Sequence, residues 1–216
     1  MPFGGTFRTV TGMVIAYHLI LTGYGHWLPN DPRGSSSRGF RSSKILDLGV
    51  MHRGQREEAP SREDLRGELR GFYRSAQPRL EHAMLIFDAA KRQVLADAFA
   101  QVIQGRRYTC FACAILTNHV HLVIRKHRDK AEDMIDTLKG ESSRTLRERC
   151  DVPQAHPVWS SDDFKKFLYT PEDIVRTVRY VEDNPPKENL PRQSFPFVTG
   201  YTGEWSGRRT LREGSS

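Results

Sequence analysis

The 216 residues, 38% of them hydrophobic and 27% charged, give enough chain for one substantial core and a composition ordinary for a soluble domain. There is no apolar run of about 18 residues and no signal-peptide pattern, so a membrane span is excluded, no membrane partner is expected and the cytoplasm is the expected location. Lys plus Arg outnumber Asp plus Glu by 33 to 26, and the +7 surplus suits a polyanionic partner without specifying one.

The first predicted element is a strand over 13–22, a β-branched and apolar run bounded by Gly12 and Gly23, in which His18 reads as packed or rim-facing rather than as a ligand. The glycines, prolines and serines of 23–39 then exclude regular structure and predict a long loop. From Arg33 to Arg79 there are 11 Lys or Arg against 6 Asp or Glu, with Phe40, Phe72 and Tyr73 interspersed. Basic side chains offset phosphate charge and aromatic faces stack on unpaired bases, so this excursion, with Arg38 and Arg41 in it, reads either as a grip on single-stranded nucleic acid or as a solvated surface insertion. Arg62 to Arg74 predicts a short helix within it.

Residues 88–103 predict a core helix, with Val94, Leu95, Ala98, Phe99, Val102 and Ile103 as its buried stripe. Two strands follow, Tyr108 to Leu116 and His119 to Arg125. Only Thr117 and Asn118 separate them, which predicts an antiparallel hairpin. His119-Val120-His121 opens the second strand. Residues two apart share a strand face, so both imidazoles point one way and Val120 turns into the core, making a half-site for a divalent cation at the turn end of the hairpin. The three cysteines are too few for a disulfide framework. Cys110 and Cys113 have no second pair to close a zinc tetrahedron and, in a regular strand, face opposite sides, so packing is their expected role.

Residues 131–147 predict another helix, apolar at Met134, Ile135, Leu138 and Leu146, whose Lys139, Arg144 and Arg147 are candidate phosphate contacts or an ordinary charged face. Val158-Trp159 is expected to open a short strand. The next helix starts at Thr170, a good N-cap, with Pro171 at its first position and Glu172 and Asp173 at the positive end of its dipole. Ile174, Val178 and Val181 give it a buried stripe, and Pro185-Pro186 end it within a residue or two of Asn184. Tyr180 and Asn184, four apart, share a face, whereas Glu182 and Asp183 turn away from it and are weaker ligand candidates. Taken singly, Tyr180 reads as a core tyrosine and Asn184 as a helix cap.

The resulting order is an α+β arrangement, the β-α-β-β-α-β pattern of a ferredoxin-like antiparallel sheet with an added C-terminal helix. The economical division is one catalytic domain over 1–190, with the basic excursion inserted at about 24–80, and an irregular extension over 191–216. Arg208, Arg209 and Arg212 make the end of that extension basic.

Together, Thr117-Asn118-His119-Val120-His121-Leu122-Val123-Ile124 and Tyr180-Val181-Glu182-Asp183-Asn184-Pro185 resemble the two motifs of the single-tyrosine HUH transposases of the IS200-like superfamily, and more closely the REP-associated tyrosine transposases. The resemblance spans roughly 13–190 in the right order. It implies His119, His121 and Asn184 as metal ligands, Mg²⁺ or Mn²⁺ as the ion, Tyr180 as the nucleophile, a homodimer, and single-stranded or hairpin DNA as the substrate. Pro186, where family members often carry an apolar residue before Lys, departs from the pattern.

On this reading the phenol displaces a 3′ oxygen from phosphorus, leaving a 5′-phosphotyrosine that a second 3′-hydroxyl can reverse without ATP. An ordinary phenol, with a pKa of about 10, needs activation for this role. Two alternatives stand beside it: a replication initiator or relaxase of the same chemistry and, from another class, a domesticated ferredoxin-like module that binds structured DNA or RNA without cutting it. The short chain and the amide at Asn184 disfavour the first, and the intact histidines and tyrosine disfavour the second.

Overall fold

The computed structural model describes residues 12–33, 48, 62–161 and 163–203. Its elements are β1 (Ala16–Thr22), α1 (Arg62–Ala76), a 3₁₀ turn (Gln77–Arg79), α2 (Ala89–Arg106), β2 (Cys110–Ile115), β3 (His119–Arg125), α3 (Ala131–Arg149), β4 (Phe164–Leu168), α4 (Pro171–Glu182) and the single turn α5 (Asn184–Lys187). The strands pair antiparallel in the order β2-β3-β1-β4, which with α2 and α3 as the two crossovers is the ferredoxin-like sheet that the element order predicts.

Strand alternation divides the molecule into two layers. Tyr17, Leu19 and Leu21 of β1 and Val120, Leu122 and Ile124 of β3 point to one face and form the main core with Leu95, Phe99 and Ile103 of α2 and Met134, Leu138 and Leu146 of α3. Ala16, Ala112, Ala114 and Val123 point to the other face, where Ile174, Val178 and Val181 of α4 cover them. Small residues on this face let α4 lie close to the sheet. The Asp88 carboxylate caps α2 by accepting from the Lys91 N–H at 2.9 Å, and Arg107, at φ 58°, ends the helix in the left-handed region.

Two expectations need correction. The last strand does not open at Val158-Trp159: Trp159 makes an isolated bridge to Gly23 and packs its ring against Phe87 and Phe99, while the strand proper is Phe164–Leu168. As an edge strand with several exposed positions, β4 lacks the apolar content that marks β1 and β3 in the sequence.

Cys110 and Cys113 do not face opposite sides. A bulge shifts the β2–β3 register between Cys110 and Ala112, so both thiols enter the main core while Phe111 and Ala112 both face α4. Burial pushes the Cys110 thiol up to about 12 and the Cys113 thiol well above the ordinary range, in keeping with packing as their role.

The prolines after Asn184 also do more than stop a helix. α4 ends at Glu182, and Pro185 and Pro186 sit in the first turn of α5.

Beyond α5, the chain turns back along the free edge of β2. Gln193 brackets Ile115, its Oε1 accepting from the Ile115 N–H and its Nε2 donating to the Ile115 carbonyl, both at 2.8 Å. Val198 bridges Cys110 and the Thr199 N–H donates to the Cys110 carbonyl, so backbone that would otherwise be an exposed edge is paired. Arg208, Arg209 and Arg212 lie outside the described residues.

Candidate active site

β3 carries His119 and His121 on the face covered by α4, as the spacing requires, and their Nε2 atoms approach to 3.0 Å. Each ring has a partner on its other nitrogen. The Asn118 side-chain oxygen lies 2.6 Å from His119 Nδ1, and Nε2 of His18, from the neighbouring strand β1, lies 3.0 Å from His121 Nδ1. One tautomer set satisfies all three contacts: His119 Nδ1–H donates to Asn118, His18 Nε2–H donates to His121 Nδ1, and His121 Nε2–H donates to the bare Nε2 of His119.

All three histidines are buried, and burial holds them neutral. It lowers His18 to about 4, with Lys166 adding to the effect, lowers His119 to about 3, reinforced by Arg33, His26 and His18, and lowers His121 well below its ordinary value.

Tyr180 reaches this row from α4. Its ring centroid lies 5.6 Å from that of His121, nearly perpendicular at 86°, and 6.0 Å from that of His18. At 47% exposed it is not a core tyrosine. α4 is fixed by a reciprocal cap in which Thr170 Oγ1 accepts from the Asp173 N–H at 3.1 Å and the Asp173 carboxylate accepts from the Thr170 N–H at 3.3 Å. Burial of Ile174, Val178 and Val181 sets its rotation, turning Tyr180 toward the histidines. Asn184 donates from Nδ2 to the Tyr180 carbonyl at 2.9 Å, capping the helix with that nitrogen and leaving Oδ1 outside the bond. Lys187 of α5 holds its ammonium 5.4 Å from the Tyr180 ring centre.

Ligation through both Nε2 atoms takes the other tautomer of His121: both Nε2 atoms are then bare, His119 Nδ1–H donates to Asn118 and His121 Nδ1–H donates to His18 Nε2, the way ligating histidines are ordinarily held. Among the described residues there is no group of three or more His, Cys, Asp or Glu able to hold a metal ion, so any further ligands would be oxygens from an amide, substrate or water.

His18 is the member of the cluster that strand periodicity alone does not reveal. Its packing was legible, but its bond to His121 arises from the β1–β3 register, which opposes Ile20 to His121 and places His18 diagonally beside it. Lys139, Arg144 and Arg147 sit on α3, which packs on the opposite face of the sheet. Lys139 donates to the Ser160 carbonyl and pairs with Asp163, Arg144 pairs with Glu141 and Glu148, and Arg147 donates to the His156 carbonyl. Contact of these three with phosphate would require those bonds to be exchanged. Arg38 and Arg41 lie outside the described residues.

Residues 81–184 match the family model described as "Transposase IS200 like". That stretch, just under half of the chain, holds both the His119-Val120-His121 strand and the Tyr180 helix through Asn184, the two motifs on which the resemblance rests. Among solved structures, the chain is similar to a REP-associated tyrosine transposase bound to a REP hairpin, at 12% identity over 82% of this chain and 70% of that one, with a TM-score of 0.41. It is also similar to a candidate transposase from Deinococcus radiodurans R1, at 14% identity over 85% of this chain and 97% of that one, with a TM-score of 0.37. No curated protein gives a significant match.

Proposed function

We propose that the protein is a metal-dependent endonuclease and strand transferase acting on single-stranded or hairpin DNA, with Tyr180 as its nucleophile. The observation that carries the reading is the approach of the Tyr180 ring to 5.6 Å from His121, which sits 59 positions earlier in the chain on a different element. A tyrosine kept for packing would be buried; this one stands exposed beside neutral imidazoles. His119 and His121, with Asn184 through its amide oxygen, would hold Mg²⁺ or Mn²⁺, whose charge would polarise the scissile phosphate.

Tyr180 Oη attacks phosphorus in line. The new Oη–P bond forms as the bond from phosphorus to the 3′ oxygen breaks, the phenolic proton is released, and the departing 3′ oxygen takes up one proton from solvent. The product is a 5′-phosphotyrosine and a free 3′-hydroxyl. Attack by a second 3′-hydroxyl on that phosphotyrosine restores a phosphodiester and returns the phenol. One tyrosine serves one end, so joining two ends favours a homodimer. The absence, among the described residues, of any helix long and apolar enough to cross a membrane is compatible with action on cytoplasmic DNA.

The test is incubation of the protein and Mn²⁺ with single-stranded oligonucleotides drawn from the flanks of its own gene, labelled at either end. A protein–DNA band that survives denaturation and carries only the 3′ label supports the reading. Retention of only the 5′ label, or no covalent band with any flank, contradicts it.

A further inference from the structure

The loop after β1 builds a structure beside the histidines that strand cleavage, as set out above, does not use. Asp31 is completely buried and is surrounded by donors: Arg33 gives it Nε and its backbone N–H, each to Oδ1 at 2.9 Å, and Nη2 to Oδ2 at 2.7 Å, while the Tyr73 hydroxyl donates to Oδ2. The same hydroxyl accepts from the Trp27 N–H at 2.9 Å and from Arg33 Nη2 at 3.1 Å. Trp27 sits at φ 52°, a left-handed conformation that is unfavourable for a non-glycine residue and persists only where its surroundings hold it. There its ring lies flat under the guanidinium, 3.6 Å from ring centre to Arg33 Cζ, and meets the His119 ring edge-on at 6.0 Å.

Asp31, Tyr73 and Trp27 thus fix a guanidinium whose Nε and Nη2 are engaged and whose Nη1 lies outside those bonds. The guanidinium lies beside the histidines, since the Trp27 ring that it covers at 3.6 Å meets the His119 ring edge-on. Asp31 balances the guanidinium charge, so what Arg33 adds beside the proposed cation site is a fixed, charge-assisted donor, and an anion seated between the two would be met by both. Phosphate is the anion that fits, because the free edge of a pre-oriented guanidinium matches its oxygens.

We infer that Arg33 is a phosphate-binding residue of this site, presenting Nη1 to a non-bridging oxygen of the DNA phosphodiester seated at His119 and Tyr180, with Asp31, Tyr73 and Trp27 as its positioning residues. The inference rests on the strand-cleavage reading for the identity of the phosphate, and its test separates the two.

In a Tyr180→Phe background, where no turnover is expected, binding of a fluorescent single-stranded oligonucleotide from the gene's flank is followed by anisotropy across a salt series. Arg33→Gln is expected to weaken binding about 10-fold, the loss of one charge-assisted contact, and to make the plot of log affinity against log salt shallower by about 0.7, one phosphate on a single strand. Because Arg33→Gln leaves the Asp31 charge buried, the double variant Asp31→Asn/Arg33→Gln is measured beside it. It removes both charges, and it is expected to unfold at the parent temperature while showing the same loss of affinity and slope. With Tyr180 restored, the double variant is expected to form covalent adduct roughly 100-fold more slowly than wild type. Parental affinity and slope in a folded Arg33 variant overturn the inference. Failure of wild type to form any adduct overturns the cleavage reading instead, and the anisotropy series still decides Arg33.

Discussion

His18 Nε2 and His121 Nδ1 meet at 3.0 Å across 103 residues of chain, joining β1 to β3 at the point where the sheet faces Tyr180. This bond fixes the orientation of the His121 ring, and when His18 Nε2 accepts from His121 Nδ1–H it leaves His121 Nε2 bare for a metal ion.

His18→Ala is therefore expected to weaken Mn²⁺ binding by about 10- to 100-fold, the usual effect of removing the partner behind a ligating histidine, even though His18 is not proposed to touch the ion. Titration of Mn²⁺ by calorimetry on wild type and variant checks this. Equal affinities would show that the contact orients nothing of consequence.

Stability should fall with acid in the presence of a chelator. Burial holds His18 near 4 and His119 near 3, whereas an exposed histidine titrates near 6.5. Below pH 6.5 the unfolded chain takes up protons that the folded chain resists, so the stability these residues contribute is complete above about pH 6.5 and is lost progressively as pH falls toward 4. Urea unfolding between pH 7 and pH 4.5 should show a loss of a few kcal/mol in order of magnitude, and His18→Asn should flatten the slope. A flat profile in wild type would mean the imidazoles are solvated.

Thiol labelling reads the β2 bulge. Cys110 and Cys113 are buried in the main core and held protonated, whereas Cys150, just past α3, is partly exposed. A disulfide reagent at pH 8 is expected to modify one thiol per native chain, at Cys150, and three only after denaturation. Fast modification of Cys113 in the native protein would contradict the bulged register.

The central sheet was legible in the sequence because its strands are apolar, β-branched and strictly alternating: His119, His121 and Val123 against Val120, Leu122 and Ile124 can be sorted by parity alone. α2 and α4 were legible from helical stripes and, for α4, from the Thr170-Pro171 start. Parity failed at Cys110 because a bulge is a property of two strands in register, and it is not written in either strand alone. Edge strand β4 was missed because one paired side and an exposed face ask little of its residues.

The candidate site shows the same division. The histidine pair and Tyr180 lie in short motifs, but His18 becomes their partner only through the β1–β3 register, and Arg33 becomes their neighbour only through Asp31, Tyr73 and Trp27, which no spacing connects.

The most direct measurement is the covalent adduct itself, digested and mapped by mass spectrometry to the residue that carries the nucleotide. The account predicts the 5′-phosphorylated nucleotide on the peptide containing Tyr180, and no adduct from Tyr180→Phe although that variant still binds the oligonucleotide. Equal adduct yield from wild type and Tyr180→Phe, or a nucleotide mapped to any other residue, would contradict it.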